Sequence, residues 1–179
     1  MKVSKDQVAK HRAQIVAAAG RLFRQRGFDG VSVAEIMKEA GLTHGAFYGY
    51  FPSKEALIAE AAAQALAPAT KYVAATQYAD TYLSTRHRDN RAGGCMFAGL
   101  GSEAVRGSDE LRHAMTEALR RQIDRFAAES AGRTETERRR AAIATWSSMV
   151  GAVLLARLVD DDTLSKEILA ETRASLPFD

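Results

Sequence analysis

An all-α fold is what this sequence predicts, and three observations carry the expectation. Proline occurs only at Pro52, Pro68 and Pro177, and Ala, Leu, Glu, Arg and Gln fill the stretches between. These are good helix formers. Apolar residues then recur at one-face helical spacing between Gly and Pro stops. With 179 residues, 46% of them hydrophobic, the chain can bury a proper core and suits one large domain or two small ones.

The first helix is expected from about Gln7 to Arg26, since Ile15, Ala18, Ala19, Leu22 and Phe23 share a face and Gly27 is a fitting stop. Ser32 and Glu35 have capping-box spacing and announce a second helix that turns Val33, Ile36, Met37 and Ala40 inward until Gly41. Thr43 is placed to cap a third helix, His44 to Tyr50, with Phe47 and Phe51 on its packed side. Pro52 breaks the chain and Ser53 caps a fourth helix from Lys54 toward Leu66. Beyond Pro68 the pattern predicts a helical stretch from about Lys71 to Leu83, a polar connection from Ser84 to Gly93, and a short helix from Gly94 to Val105. Three longer helices follow: Ser108 to about Gly132, Thr134 to Leu158, and Thr163 to Leu176.

Charge divides the chain unevenly. Residues 1–54 carry nine Lys or Arg against four acids, a local charge of +5, which leaves −2 for residues 55–179. A compact basic head on a slightly acidic remainder suits a polyanion, though a solvated helix surface has the same composition. The single cysteine, Cys95, excludes an internal disulfide or a cysteine-based zinc cluster, and no metal or cofactor is expected. A reducing, cytoplasmic setting fits this best. The most apolar run, Trp146 to Ala156, is short for a membrane span and ends at Arg157, so no membrane partner is expected. An enzyme would need a motif among Cys95, His87, His113 and scattered acids, and none has the spacing of one.

Ser32 to Tyr50 is therefore two short helices joined by a tight turn at Gly41, the helix-turn-helix plan. In this plan the first helix, opening at Ser32 and Val33, crosses the DNA backbone, and the second sets its N-terminal residues against base edges. Thr43, His44, Gly45 and Ala46 stand there: the small residues allow close approach, His44 can donate or accept, and Ala46 can meet a thymine methyl. Tyr48 and Tyr50 offer hydroxyls to phosphates, and Lys54 adds its charge to the positive end of the fourth helix. The competing structural reading is that the aromatics form only a core edge. A non-DNA interaction module, docking acidic proteins or membrane surfaces through the basic head, is the rival from another class.

The run Ile36-Met37-Lys38-Glu39-Ala40-Gly41-Leu42-Thr43-His44-Gly45-Ala46-Phe47-Tyr48-Gly49-Tyr50-Phe51-Pro52-Ser53-Lys54-Glu55-Ala56-Leu57 resembles the signature of tetracycline-repressor (TetR) family regulators. Leu22-Phe23 and Gly27-Phe28 before it resemble the end of their first helix. Met37 and Tyr50 depart from the usual Ala and His, which leaves the phosphate contact of Tyr50 open. The resemblance implies a helix-turn-helix domain over residues 1–53 and a helical effector-binding and dimerisation domain over 54–179. It further implies a homodimer on a double-stranded, palindromic DNA operator and a small-molecule effector that lowers DNA affinity, with repression favoured over activation.

Residues 141–159 support a dimer independently. One helical face holds Ile143, Trp146, Val150, Val153 and Leu154, and the opposite one Ala142, Thr145, Met149, Ala152 and Ala156. Such a helix requires burial on both sides. Trp146, Val150, Val153 and Leu154, with Leu164 and Ile168 from the last helix, are the expected dimer interface. Cys95 has two readings. Following Gly93-Gly94 at a helix start near Arg91, it has the setting of a thiolate sensor; beside Met96, Phe97 and Leu100 it has that of a small core hydrophobe, which is the favoured reading.

Overall fold

The computed structural model describes residues 4–67 and 74–177 and, among these, contains helices and no strand. In chain order they are α1 (Lys5–Arg26), α2 (Val33–Glu39), a 3-10 helix (His44–Gly49), α3 (Lys54–Ala65), α4 (Ala75–Tyr82), α5 (Thr85–Asp89), α6 (Met96–Ala104), α7 (Asp109–Glu129), α8 (Glu135–Leu158) and α9 (Asp162–Ser175). The all-α expectation holds.

Most of these starts are fixed by side-chain oxygens. Ser4, Ser32, Ser53, Ser84, Ser108, Thr134 and Asp161 each accept a backbone N–H in the first turn of the helix they precede. Each such cap is worth about 1 kcal/mol. Ser4 sets the first helix at Lys5, earlier than its apolar face suggests. Ser84 likewise nucleates α5 inside what the polarity of residues 84–93 marks as a plain connection. The expected beginning of the fifth helix at Lys71 lies outside the described residues.

Two buried clusters organise the packing. The first gathers α1, α2, the 3-10 helix and α3 around Phe23, Ile36, Phe47, Phe51 and Leu57, and it extends to Met96, Leu100 and Ala104 of α6 and Leu111 of α7. The second lies among α4, α7, α8 and α9 around Tyr82, Phe126, Trp146, Met149 and Leu169. Helix α6 contributes to both, with Ala98 in the second.

The first cluster is joined to the rest by polar links as well. Gly27 ends α1 at φ 81°, a conformation that favours glycine, and a Cβ there would stand 2.7 Å from Glu103 Oε1. The absent side chain lets the Glu103 carboxylate reach in and accept the Phe28 N–H at 2.6 Å. Arg24 Nε donates to the Ala92 carbonyl at 2.7 Å, so the end of α1 is tied to the loop before α6.

Candidate nucleic-acid interface and body cavity

The two helices of the expected motif are joined as their sequence dictates. Ser32 Oγ accepts the Glu35 N–H at 3.3 Å while Glu35 Oε2 accepts the Ser32 N–H at 2.8 Å, completing the capping box of α2. Those bonds, with Arg26 at 2.9 Å, lower the Glu35 carboxyl to about 2. At the other end Gly41 takes φ 73°, its N–H donates to Lys38 O at 3.0 Å, and Leu42 N–H donates to Met37 O at 2.8 Å. This is a Schellman turn, and it redirects the chain into the next helix.

That next element differs from expectation in type. Residues 44–49 form a 3-10 helix, and Thr43, extended before it, makes no side-chain cap bond. Gly45 and Gly49 within six residues each forfeit about 1 kcal/mol of α-helical preference relative to Ala, and Pro52 leaves no room to lengthen the helix. Phe47 is fully buried beneath it, stacked on Phe51 at 5.9 Å. His44 and Gly45 are exposed, Ala46 is half-buried, and Tyr48 projects with 72% of its surface free. A Cβ at Gly45 or Gly49 would meet nothing within 4 Å, so neither glycine is there for internal packing.

Tyr50 is held differently. Its hydroxyl pairs with His11 Nδ1 at 2.8 Å, His11 Nε2 pairs with Gln7 at 2.6 Å, and its carbonyl accepts from Arg12, which also binds Glu60. A phosphate at Tyr50 would therefore also meet His11, a residue on α1 that local spacing could not single out. Charges sort in the same way. Arg12, Arg21 and Arg26 pair with Glu60, Glu39 and Glu35, and Arg24 faces the body. Lys38 on α2 and the half-buried Lys54 at the start of α3 have no ion-pair partner among the described residues. Ser32 is exposed and Val33 half-buried at the mouth of α2.

In the body, Trp146 and Val153 are 5% and 0% exposed, packed inside the second cluster. Val150 and Ile168 are half-buried at its edge, whereas Ile143, Leu154, Leu155 and Leu158 on α8 and Leu164 on α9 stand 42–75% exposed. Helix α8 is long and apolar enough to cross a membrane by length and composition, further than its most apolar run indicates, but it buries one stripe inside the protein and exposes the other.

Between α4, α6 and α7 lies a cavity of about 750 Å³. Tyr78, Tyr82, Phe97 and Trp146 wall it, and Arg86, Arg121, Gln122 and Arg125 supply polar lining. Cys95 also lines it, half-buried at the start of α6. His87 stitches this wall: Nδ1 donates to Tyr82 O at 2.7 Å, and Nε2 accepts the Cys95 N–H at 3.0 Å. Both bonds require the neutral ring, and burial lowers its pKa further. Because the Cys95 N–H is spent on His87, it is not available to a thiolate. The basic groups felt by Cys95 are Arg24 and Arg157, brought in from α1 and α8, while Arg91 is exposed. Arg157 holds the carbonyls of His87 and Arg88 at 2.9 Å each.

Residues 15–61 match the model of bacterial regulatory proteins of the tetR family. Over 44 residues the chain is 54% identical to the uncharacterized HTH-type transcriptional regulator YuxN of Bacillus subtilis, covering 25% of this chain and 15% of that protein. Over 55 residues it is 40% identical to the HTH-type transcriptional regulator TtgR of Pseudomonas putida, covering 31% and 26%. The matches thus span well under a third of these relatives' lengths. Solved structures align along nearly the whole chain. A TetR-family regulator from Agrobacterium tumefaciens gives a TM-score of 0.74 at 19% identity over 96% of this chain and 100% of that one. One from Chloroflexus aurantiacus gives 0.72 at 24% over 94% and 95%. At such identities the likeness shows the fold.

Proposed function

We propose, from the premise that the chain belongs to the TetR family through its N-terminal domain, that it is a dimeric DNA-binding repressor released from a palindromic operator by a small-molecule effector. The Schellman-turned pair of α2 and the 3-10 helix is the observation that carries this reading. It presents exposed His44, Gly45 and Tyr48, with Lys38 on α2 and Lys54 opening α3, over a core built from Ile36, Phe47 and Phe51. Helix α2 would cross the phosphates at Ser32 and Val33, and the 3-10 helix would enter the major groove with Thr43, His44, Gly45 and Ala46 toward base edges. Tyr48, Tyr50 with His11, and Lys54 would hold phosphate oxygens.

The dimer would use the exposed stripe Ile143, Val150, Leu154 and Leu158 of α8 with Leu164 and Ile168 of α9, across a two-fold axis. Trp146 and Val153 would support that face from behind. Two heads would then lie about 34–36 Å, one DNA turn, or a multiple apart. The cavity is the effector site in this reading. Helix α6 runs from its wall at Met96 and Phe97 to the head at Glu103, so a shift at one end would be felt at the Phe28 N–H.

A gel shift on the gene's own promoter fragment with excess unrelated DNA tests the proposal. Specific binding is expected, with Lys54→Ala weakening all sequences alike and lowering the salt slope by about one unit, and His44→Ala altering sequence preference. No specific shift, or two variants indistinguishable from wild type, would sink it.

A further inference from the structure

We propose that the body cavity takes a planar aromatic carboxylate of two or three fused rings, its acceptor oxygens held by Tyr82 and Gln122 and its charge met by Arg86, Arg121 and Arg125. This rests on the reading of the cavity as the effector site and names the chemistry of its ligand.

Shape gives the aromatic part. A cavity of about 750 Å³ is of the size that encloses a small organic molecule. Its walls are rings: Phe97 stands perpendicular to Trp146 at 5.9 Å, Tyr82 lies 5.3 Å from Trp146, and Tyr78 is stacked 5.7 Å from Tyr82. Flat faces and edges of this kind favour a flat, polarisable guest.

Unmade hydrogen bonds give the acceptor part. Tyr82 is 5% exposed, and among the described residues its hydroxyl, beside the weakly accepting Cys95 sulfur, and the Gln122 Nε2 are buried without a hydrogen-bond partner, in two residues that line the cavity. A buried donor left unpaired costs stability, so each is expected to be met by something the free protein lacks. Both are donors: burial holds the Tyr82 phenol protonated far above the usual phenol range, with the neighbouring Cys95 adding to the shift. The guest must therefore bring acceptors.

Sign of charge gives the carboxylate. Arg86, Arg121 and Arg125 line the cavity, and among the described residues no Asp or Glu does. Arg121 spends one N–H on Leu66 O at 3.0 Å, and Arg125 lies over the Tyr78 ring at 4.4 Å, which fixes cationic groups against an aromatic wall. His87 contributes neither a charge nor a free ring nitrogen, since both nitrogens are bonded. A cationic guest would meet like charge at this lining and be disfavoured.

Calorimetry of the full chain with 2-naphthoate, its neutral carboxamide and (2-naphthyl)methylammonium is the test. The acid is expected to bind at least about tenfold tighter than the amide, the ammonium not at all, and Tyr82→Phe and Gln122→Leu each to weaken the acid about tenfold. Both variants should melt no lower than wild type in the absence of ligand, because each removes an unpaired donor. Equal binding of acid and ammonium, or an affinity for the acid indifferent to both substitutions, overturns the proposal. The promoter shift is read separately. If naphthoate fails to bind while the promoter is still shifted, the ligand class falls and the DNA-binding reading stands. If naphthoate binds as expected but leaves the shift unchanged, the ligand class stands and the effector role falls.

Discussion

The head and the body solve the same burial problem in opposite ways. In the head, Phe23, Phe47, Ile36, Met37 and Leu57 are all fully buried in one cluster. In the body, comparable aromatic mass surrounds a cavity of about 750 Å³ and leaves polar donors unpaired at its wall. A surface that must present the same side chains each time is built on a filled core, while a site that must accommodate a guest keeps space and unspent hydrogen bonds. Stability and adaptability are thus divided between regions of one small chain.

Core truncation sharpens this comparison most. Phe23→Ala should cost about 3–5 kcal/mol, because the surrounding helices cannot collapse onto the void. Phe97→Ala, at a wall that already borders empty space, should cost clearly less; equal losses in denaturant unfolding would remove the distinction. Next in size is the outer face of the body. Leu154→Asp together with Leu158→Asp should turn a dimer into a monomer by light scattering at micromolar concentration while the protomer's helical content stays intact, since both side chains are exposed in the protomer.

A smaller effect is expected where the regions meet. Glu103→Gln replaces a charge-assisted bond to the Phe28 N–H with a neutral one, at about 1 kcal/mol of stability. Affinity of the body for its ligand should stay near wild type while the ligand's effect on the promoter shift declines. The smallest effect is in pH dependence. His87 is buried neutral with a lowered pKa, so the unfolded chain binds a proton that the folded one refuses. Stability from this group is complete above the ordinary histidine range and declines as pH falls from there toward the folded pKa. The thermal midpoint should drop by a few degrees more between neutral and mildly acidic pH in wild type than in His87→Gln.

The head was largely legible because its sequence is punctuated. Ser32 and Glu35 form their box, Gly41 takes the left-handed turn, and Ser53 caps α3. The one misjudged element, 44–49, is where two glycines and a nearby proline undercut an α-helix that only Thr43 was expected to start. In the body the caps at Ser108, Thr134 and Asp161 mark helix starts, yet α5 escaped notice since five residues are too few to display an apolar period. The orientation of α8 was not legible either. A helix apolar on all sides gives no sign that Trp146 and Val153 turn inward and Leu154 and Leu158 outward. Nor could His11 be foreseen beside Tyr50, or Gln122 on the same cavity wall as Tyr82, because helix packing brings together residues 39 and 40 positions apart.

Met96, Leu100 and Ala104 of α6 and Leu111 of α7 belong to the same buried cluster as Phe23 and Phe47. A chimera that grafts this head onto another regulator by cutting the chain after α3 would leave those aromatic side chains without their lid and the transplanted fragment prone to aggregate. A graft that carries the turn of chain from Met96 to Leu111 along with residues 4–67 would keep the seam closed. The portable unit for rewiring such a protein is therefore discontinuous in sequence, and its boundary runs along the length of a single helix.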